Sequence, residues 1–164
     1  MSQVTLPRIG ILAFMDDESR QALASYGTLI TTESGRVLIR EGDVNTHLYI
    51  VLSGVFNIST EASGSEVHLD TVGKGDCLGE VSIFNPDKAS ATVKSLQMGQ
   101  LWSIDVGRLQ SFLLDWPAYG CAALLGINIM LSRRLKRANG VIRFNQIVPG
   151  FLSVRAKTRT KGEK

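Results

Sequence analysis

Between Thr28 and Asp105 apolar and polar positions alternate in short runs, each closed by a glycine or a polar turn. Thr28–Thr32, Val37–Arg40, His47–Leu52, Val55–Thr60, Glu66–Val72, Ala91–Leu96 and Gln100–Asp105 have the length and the β-branched and aromatic content of strands. Gly42, Gly54, Gly64, Gly73, Gly75 and Gly79 punctuate the runs, where a turn needs positive φ or a close backbone approach. Short strands at regular spacing predict a mainly β domain, an antiparallel jelly-roll or β-roll barrel. The flanks have helical period instead. Asp16 to Tyr26 predicts a helix capped by Asp16 or Asp17, with Phe14 packing at its start, Leu23 and Tyr26 on one face and Gly27 as its C-cap.

After Ile104 the period lengthens. Val106 to Leu114 predicts a helix, and Pro117 suits the first turn of a second one running to about Arg143. Within it Cys121, Leu124, Asn128, Leu131, Leu135, Ala138 and Ile142 recur at spacings of three and four, an a/d seam with a polar residue at one a-type position. A second stripe, Ala122, Leu125 and Ile129, is expected to pack on the β domain. Two readings follow: one broad core stripe, or a helix touching both its own barrel and a second copy of the chain. The seam outlasts the second stripe and favours the second reading, a homodimer through Leu124, Asn128, Leu131, Leu135, Ala138 and Ile142. The expected division is an N-terminal extension (1–13), a β-roll (14–116), a long C-terminal helix region (117–148) and a basic, flexible tail (149–164).

The 164 residues suffice for one ordinary domain with a sizeable core. The net charge of +3 hides an asymmetry: from Arg133 onward ten Lys or Arg face one acid, so that end carries +9 and the remainder −6. A basic end of this kind meets phosphates or anionic surfaces nonspecifically, or is simply solvated. Cys77 and Cys121 are too few for a disulfide framework and are expected to pack as free thiols. With neither a signal-peptide pattern nor a run of roughly 20 apolar residues, the expected location is the cytoplasm, without a transmembrane segment. His47 and His68 have no metal-ligand spacing to the cysteines, Gly73-x-Gly75-x-x-x-Gly79 lacks the dinucleotide fingerprint, and no catalytic grouping has local support. The expectation is a non-enzyme without a cofactor.

Four stretches carry a resemblance. Ser34 to Asp43, ending in Arg40-Glu41-Gly42-Asp43, and Leu48 to Val55 form a strand, a turn and a strand pair. Gly73-Lys74-Gly75-Asp76-Cys77-Leu78-Gly79-Glu80 leads into a cassette, and Ser90-Ala91-Thr92-Val93 leads out of it. Over residues 14 to 143 the chain resembles the cyclic nucleotide-binding domain family, in its catabolite-activator-like form. The resemblance implies a short helix, Val81 to Phe84, with Asn85, Pro86 and Asp87 as its loop, presenting backbone N–H groups to a cyclic phosphate. It implies cAMP or cGMP as the ligand class, Gly79 and Glu80 at the ribose, and Ser90 and Ala91 beside the phosphate. It implies a C-terminal helix that relays the bound state.

At one position the chain departs from the family. Where the family has its phosphate-binding arginine, this chain has Ala89, with Lys88 as its neighbour. Losing one partner of a buried charge pair costs about 2–5 kcal/mol, roughly 30-fold to several-thousand-fold in affinity. The candidate ligand residues are therefore Gly79, Glu80, Val81, Lys88, Ala89, Ser90 and Ala91, in a degenerate cassette. The expected function is a regulatory module with weak or absent nucleotide binding, signalling through its C-terminal helix to an unidentified protein partner. The alternatives are a ligand-independent dimeric scaffold and a true receptor that holds the phosphate with Lys88. Family members that read DNA add a helix-turn-helix after the long helix, and about twenty residues follow Arg143 here, so sequence-specific DNA binding is not expected.

Overall fold

The structure, a computed structural model, describes residues 4–84 and 88–157, with 141–157 as backbone. A 3-10 turn, Gly10–Phe14, precedes helix α1 (Asp17–Ala24). Strands β1 (Thr28–Thr32), β2 (Val37–Ile39), β3 (His47–Ser53), β4 (Phe56–Ala62), β5 (Ser65–Val72) and β6 (Cys77–Leu78) follow. Helix α2 (Glu80–Phe84), β7 (Thr92–Ser95), β8 (Gly99–Asp105), α3 (Val106–Asp115) and α4 (Pro117–Lys157) complete the order. Two four-stranded sheets, β1-β8-β3-β6 and β2-β7-β4-β5, are antiparallel at every pairing. This is the mainly β, jelly-roll architecture that the alternation predicts.

Apolar strand positions make the core, with β8 buried at four consecutive residues, Leu101 to Ile104. Leu48, Ile50 and Val51 of β3, Leu101, Trp102 and Ile104 of β8, Phe56 of β4, Val72 of β5 and Val93 of β7 are buried. Val51, Phe56, Val72, Leu78, Val93 and Leu101 form one apolar cluster joined by Ile39 and Ala89. Two elements escaped the sequence pattern, the two-residue β6 and the 3-10 turn, because neither is long enough to show a period. Leu6, Ile11, Leu12 and Met15 are all buried, so the segment expected as an extension is packed into the core. Arg20, buried, fastens it by donating to the carbonyls of Leu6 (3.0 Å) and Met15 (2.6 Å) and pairing with Asp17.

Several local expectations change. Asp16 is the α1 cap, its carboxylate accepting from the Ser19 N–H at 2.8 Å. Met15 packs at the helix start, while Phe14 is exposed. Gly27 is not a left-handed C-cap, since the helix closes at Ser25. It is glycine because a Cβ there would lie 2.4 Å from the Trp102 indole. Gly73 has neither positive φ nor a tight neighbour.

The chain divides into two compact units, Met1–Met130 and Leu131–Lys164. In the first unit, α4 buries Ala123, Ile127 and Met130 rather than the expected stripe of Ala122, Leu125 and Ile129. The reason is contact by small residues: a Cβ on Gly126 would meet the Ile11 carbonyl oxygen at 2.2 Å, so the Ala123/Gly126 side approaches closest. Met130 Sδ accepts from the Cys77 N–H at 3.4 Å. Cys121, expected to pack, is exposed, because it lies off that face. Leu124 and Asn128 are exposed. In the second unit the helix continues to Lys157, past the expected limit at 148; the expected tail falls partly at 158–164, outside the described residues. There Leu135 is 63% exposed, Ala138 is exposed and Leu131 is half-buried. The Ile142 side chain lies outside the described residues. Among the described residues no helix is long and apolar enough to cross a membrane.

Hydrogen bonds hold three surface carboxyls below their ordinary range. Ser19 does so at Asp16, Thr60 and the Glu61 N–H at Glu41, and the Arg108 N–H at Asp105. A carboxyl lowered on folding stabilises the fold above its unfolded value, and the gain is lost as pH falls through the folded value. The melting temperature is therefore expected to stay level from about pH 8 to about pH 5 and to fall below about pH 4. Calorimetry across that range checks it, and a rise on acidification would contradict it.

Candidate functional site

The cassette begins where β6 ends. Gly79 has φ +81°, a left-handed backbone that glycine adopts without steric cost. A Cβ there would lie 2.3 Å from the His47 carbonyl oxygen and 2.6 Å from Asn45 Nδ2. Glycine thus lets the chain turn against the 42–47 loop and enter α2 at once. Glu80 opens that helix and is buried, an acid in the first turn where partial positive charge gathers. Val81 is exposed, while Ser82 and Ile83 are buried. The expected loop residues Asn85, Pro86 and Asp87 lie outside the described residues.

The return arm is pinned by the same loop. Lys88 pairs with Val44 in an isolated antiparallel bridge. The Ala89 N–H donates to the Asp43 carbonyl, and its carbonyl accepts from the Gly42 N–H, both at 2.8 Å. One segment, Gly42 to His47, therefore buttresses both arms of the cassette. Asn45 organises it, its amide spanning the His47 carbonyl (2.8 Å) and N–H (3.3 Å). Sequence reasoning passed over Asn45 and named Asp43 only as the end of the Arg-Glu-Gly-Asp stretch. An Asn that closes a local turn through its own side chain was the available signal.

The side chains of Lys88 and Ala89 part company. Adjacent residues of a paired, extended segment face opposite ways. Ala89 is 6% exposed and joins the apolar cluster of Val51, Phe56, Leu78 and Val93 inside the roll. Lys88 is exposed and lines a cavity with Val44, Ile83 and Val106. Ser90 is exposed and Ala91 half-buried as the chain enters β7. The structure thus places Gly79, Glu80, Ser90 and Ala91 on the two arms of one cassette, Ala89 in the core, and Lys88 on the other side of its strand.

The Arg-Glu-Gly-Asp stretch has a structural task. The Glu41 N–H donates to Thr92 Oγ1 (3.0 Å), and its carboxylate accepts from Thr60 Oγ1 (2.7 Å) and the Glu61 N–H (2.9 Å). These bonds tie the end of β2 to β7 and β4. A groove of about 760 Å³ over this region carries Glu41, Glu61 and Glu66 against Arg40 and Lys94, an acidic balance unsuited to a phosphate. Among the described residues no group of three His, Cys, Asp or Glu is placed to hold a metal ion.

Residues 29–115 match the family model described as "Cyclic nucleotide-binding domain". The chain is 30% identical over 135 residues to a CRP-like cAMP-activated global transcriptional regulator of Mycobacterium tuberculosis (strain ATCC 25618 / H37Rv), covering 82% of this chain and 58% of that protein. It therefore spans less than two thirds of that relative's length. Among solved structures it is similar to the N-terminal domain of a transcriptional regulator from Streptomyces coelicolor A3(2), with TM-score 0.66, 30% identity and coverage of 82% and 92%. It is also similar to the regulatory subunit of a cAMP-independent protein kinase A from Trypanosoma brucei, with TM-score 0.60, 26% identity and coverage of 64% and 39%.

Proposed function

We propose that this chain, which belongs to the cyclic nucleotide-binding domain family, is a non-enzymatic regulatory module that binds cyclic nucleotides weakly or not at all and acts through helix α4. The observation that carries the reading is Ala89. At the position of the family's phosphate-binding arginine stands a methyl group, packed among Val51, Phe56, Leu78 and Val93. Lys88 faces away from that cluster and is no substitute for a guanidinium fork. The likeness to a kinase regulatory subunit described as cAMP-independent agrees with a roll that works without this ligand. The buried face of α4, Ala123, Ile127 and Met130, supports a route from roll to helix, since Met130 accepts directly from the strand that leads into the cassette.

Thermal unfolding with and without nucleotide tests the reading. A ligand at 100 times its Kd stabilises by about 2.7 kcal/mol, a rise of roughly 5–11 °C for a chain of this size. With cAMP or cGMP at about 1 mM, the expected rise is under about 1 °C. A rise of several degrees would mark a working receptor.

A second reading, a dimeric scaffold that needs no ligand, is favoured by the exposed Leu124, Leu125 and Leu135 on α4. Asn128 at an a-type position would set the register of such a pair. Light scattering is expected to give the mass of a dimer for the wild type and of a monomer for Leu131→Asp and Leu135→Asp. A wild type that is already monomeric defeats this reading.

A further inference from the structure

We propose that the part of α4 that follows Met130 binds an anionic phospholipid surface, with its basic side chains at the headgroups and its leucines at the edge of the acyl chains. α4 changes character at that point. From Pro117 to Met130 it has no charged residue, and its buried positions end with Met130. Leu131 opens the second compact unit, and from Leu131 to Gly140 every residue is exposed or half-buried. Basic residues begin at Arg133, and no Asp or Glu stands between Asp115 and Glu163. The helix itself therefore brings no acid to neutralise them.

The residues sort by face. A helix turns about 100° per residue, so Leu131, Leu135 and Ala138 fall within an arc of about 60°. Arg133, Lys136 and Arg137 stand more than about 120° from the centre of that arc, and Arg134 stands nearer its border. Arg133, Lys136 and Arg137 are exposed, and Leu135 is 63% exposed. The sequence continues the pattern with Ile142 and Arg143. Charge and shape choose among occupants. A second copy of this stretch would set like charge against like, which is unfavourable. A nucleic acid would pair with the basic face and leave Leu131 and Leu135 in water. A fixed protein groove gains most from large anchors, and here the small Ala138 interrupts the stripe between Leu135 and Ile142, where fluid acyl chains close around it. A lipid surface takes both faces at once, apolar side chains at the acyl boundary and Lys and Arg at the anionic headgroups. This contact is independent of whether the roll holds a nucleotide.

The test is flotation of the full chain with phosphatidylcholine vesicles, with and without about 30 mol% phosphatidylglycerol. The anionic vesicles are expected to bind with an apparent Kd at or below about 1 mM lipid, and the neutral ones at least about tenfold more weakly. Raising NaCl to about 0.5 M is expected to release most of the protein. Lys136→Gln combined with Arg137→Gln is expected to weaken binding at least about tenfold. Leu135→Gln, at an exposed position, is expected to weaken it severalfold with an unchanged melting temperature and an unchanged mass by light scattering. No binding to the anionic vesicles, equal binding to the neutral ones, or indifference to the double substitution would each overturn the proposal. So would indifference to Leu135→Gln, the mark of a contact with phosphates alone, or a fall to half the wild-type mass in that variant, the mark of a seam between two copies.

Discussion

Ala89→Arg is expected to destabilise the domain by at least about 3 kcal/mol, a fall of roughly 6–12 °C in melting temperature, without creating tight cAMP binding. From the sequence alone this substitution has two outcomes: it restores a missing anchor, or it stays silent because the pocket is filled. The packing of Ala89 points to the second. The Ala89 methyl is 6% exposed and shares a cluster with Ile39, Val51, Phe56, Val72, Leu78, Val93 and Leu101. A guanidinium built there must displace packed aliphatic groups and lose its water. Snorkelling toward the Lys88 side would require breaking the 2.8 Å bonds that Ala89 makes with Gly42 and Asp43. Differential scanning calorimetry gives the stability, and the same scan with about 1 mM cAMP gives the binding. A variant as stable as the wild type that is strongly stabilised by cAMP would mean that the roll keeps an open phosphate site behind Ala89.

Gly10→Ala is expected to cost about 3–6 kcal/mol, from left-handed backbone strain and from the exposure of residues packed beside it. Gly10 has φ +49°, and a Cβ on it would lie 1.7 Å from the Gly75 carbonyl oxygen and 2.4 Å from that carbonyl carbon. The obstacle is backbone, so no rotamer change relieves it. The two strands of chain must separate, and Ile11 and Leu12, both buried, move with Gly10. The same segment lies against α4, where the Ile11 carbonyl would meet a Cβ on Gly126. Denaturant unfolding of Gly10→Ala measures the loss. A variant within about 1 kcal/mol of the wild type, inside the range of an ordinary surface change, would contradict this account of the N-terminal segment.

The seven strands longer than two residues were legible because each is a short run with β-branched, aromatic or alternating apolar residues, most of them bounded by glycine or polar turn residues. β6 was not legible, since Cys77 and Leu78 are too few to carry any period and are a strand only because Tyr49 and Ile50 pair with them. The face of α4 that meets the roll was misread because the helix is apolar on several sides near its start. Periodicity gives equivalent stripes, and the choice of Ala123, Ile127 and Met130 rests on how closely Gly126 lets Ile11 approach. Gly79 and Glu80 were singled out through the motif that leads into the cassette. The separation of Lys88 from Ala89 was not, because neighbours in sequence say nothing of which side of a strand faces the core until the pairing with Gly42–Val44 is known. The cavity beneath Lys88 was hidden for the same reason: Val44, Ile83 and Val106 are far apart in the chain and meet only in the fold.

The central claim is that a roll whose arginine position holds a core alanine does not hold a cyclic phosphate. Titration calorimetry of the full chain with cAMP tests it most directly. The account predicts no saturable heat up to about 1 mM ligand, and a Kd of about 10 μM or tighter, near −7 kcal/mol of binding free energy, would contradict it.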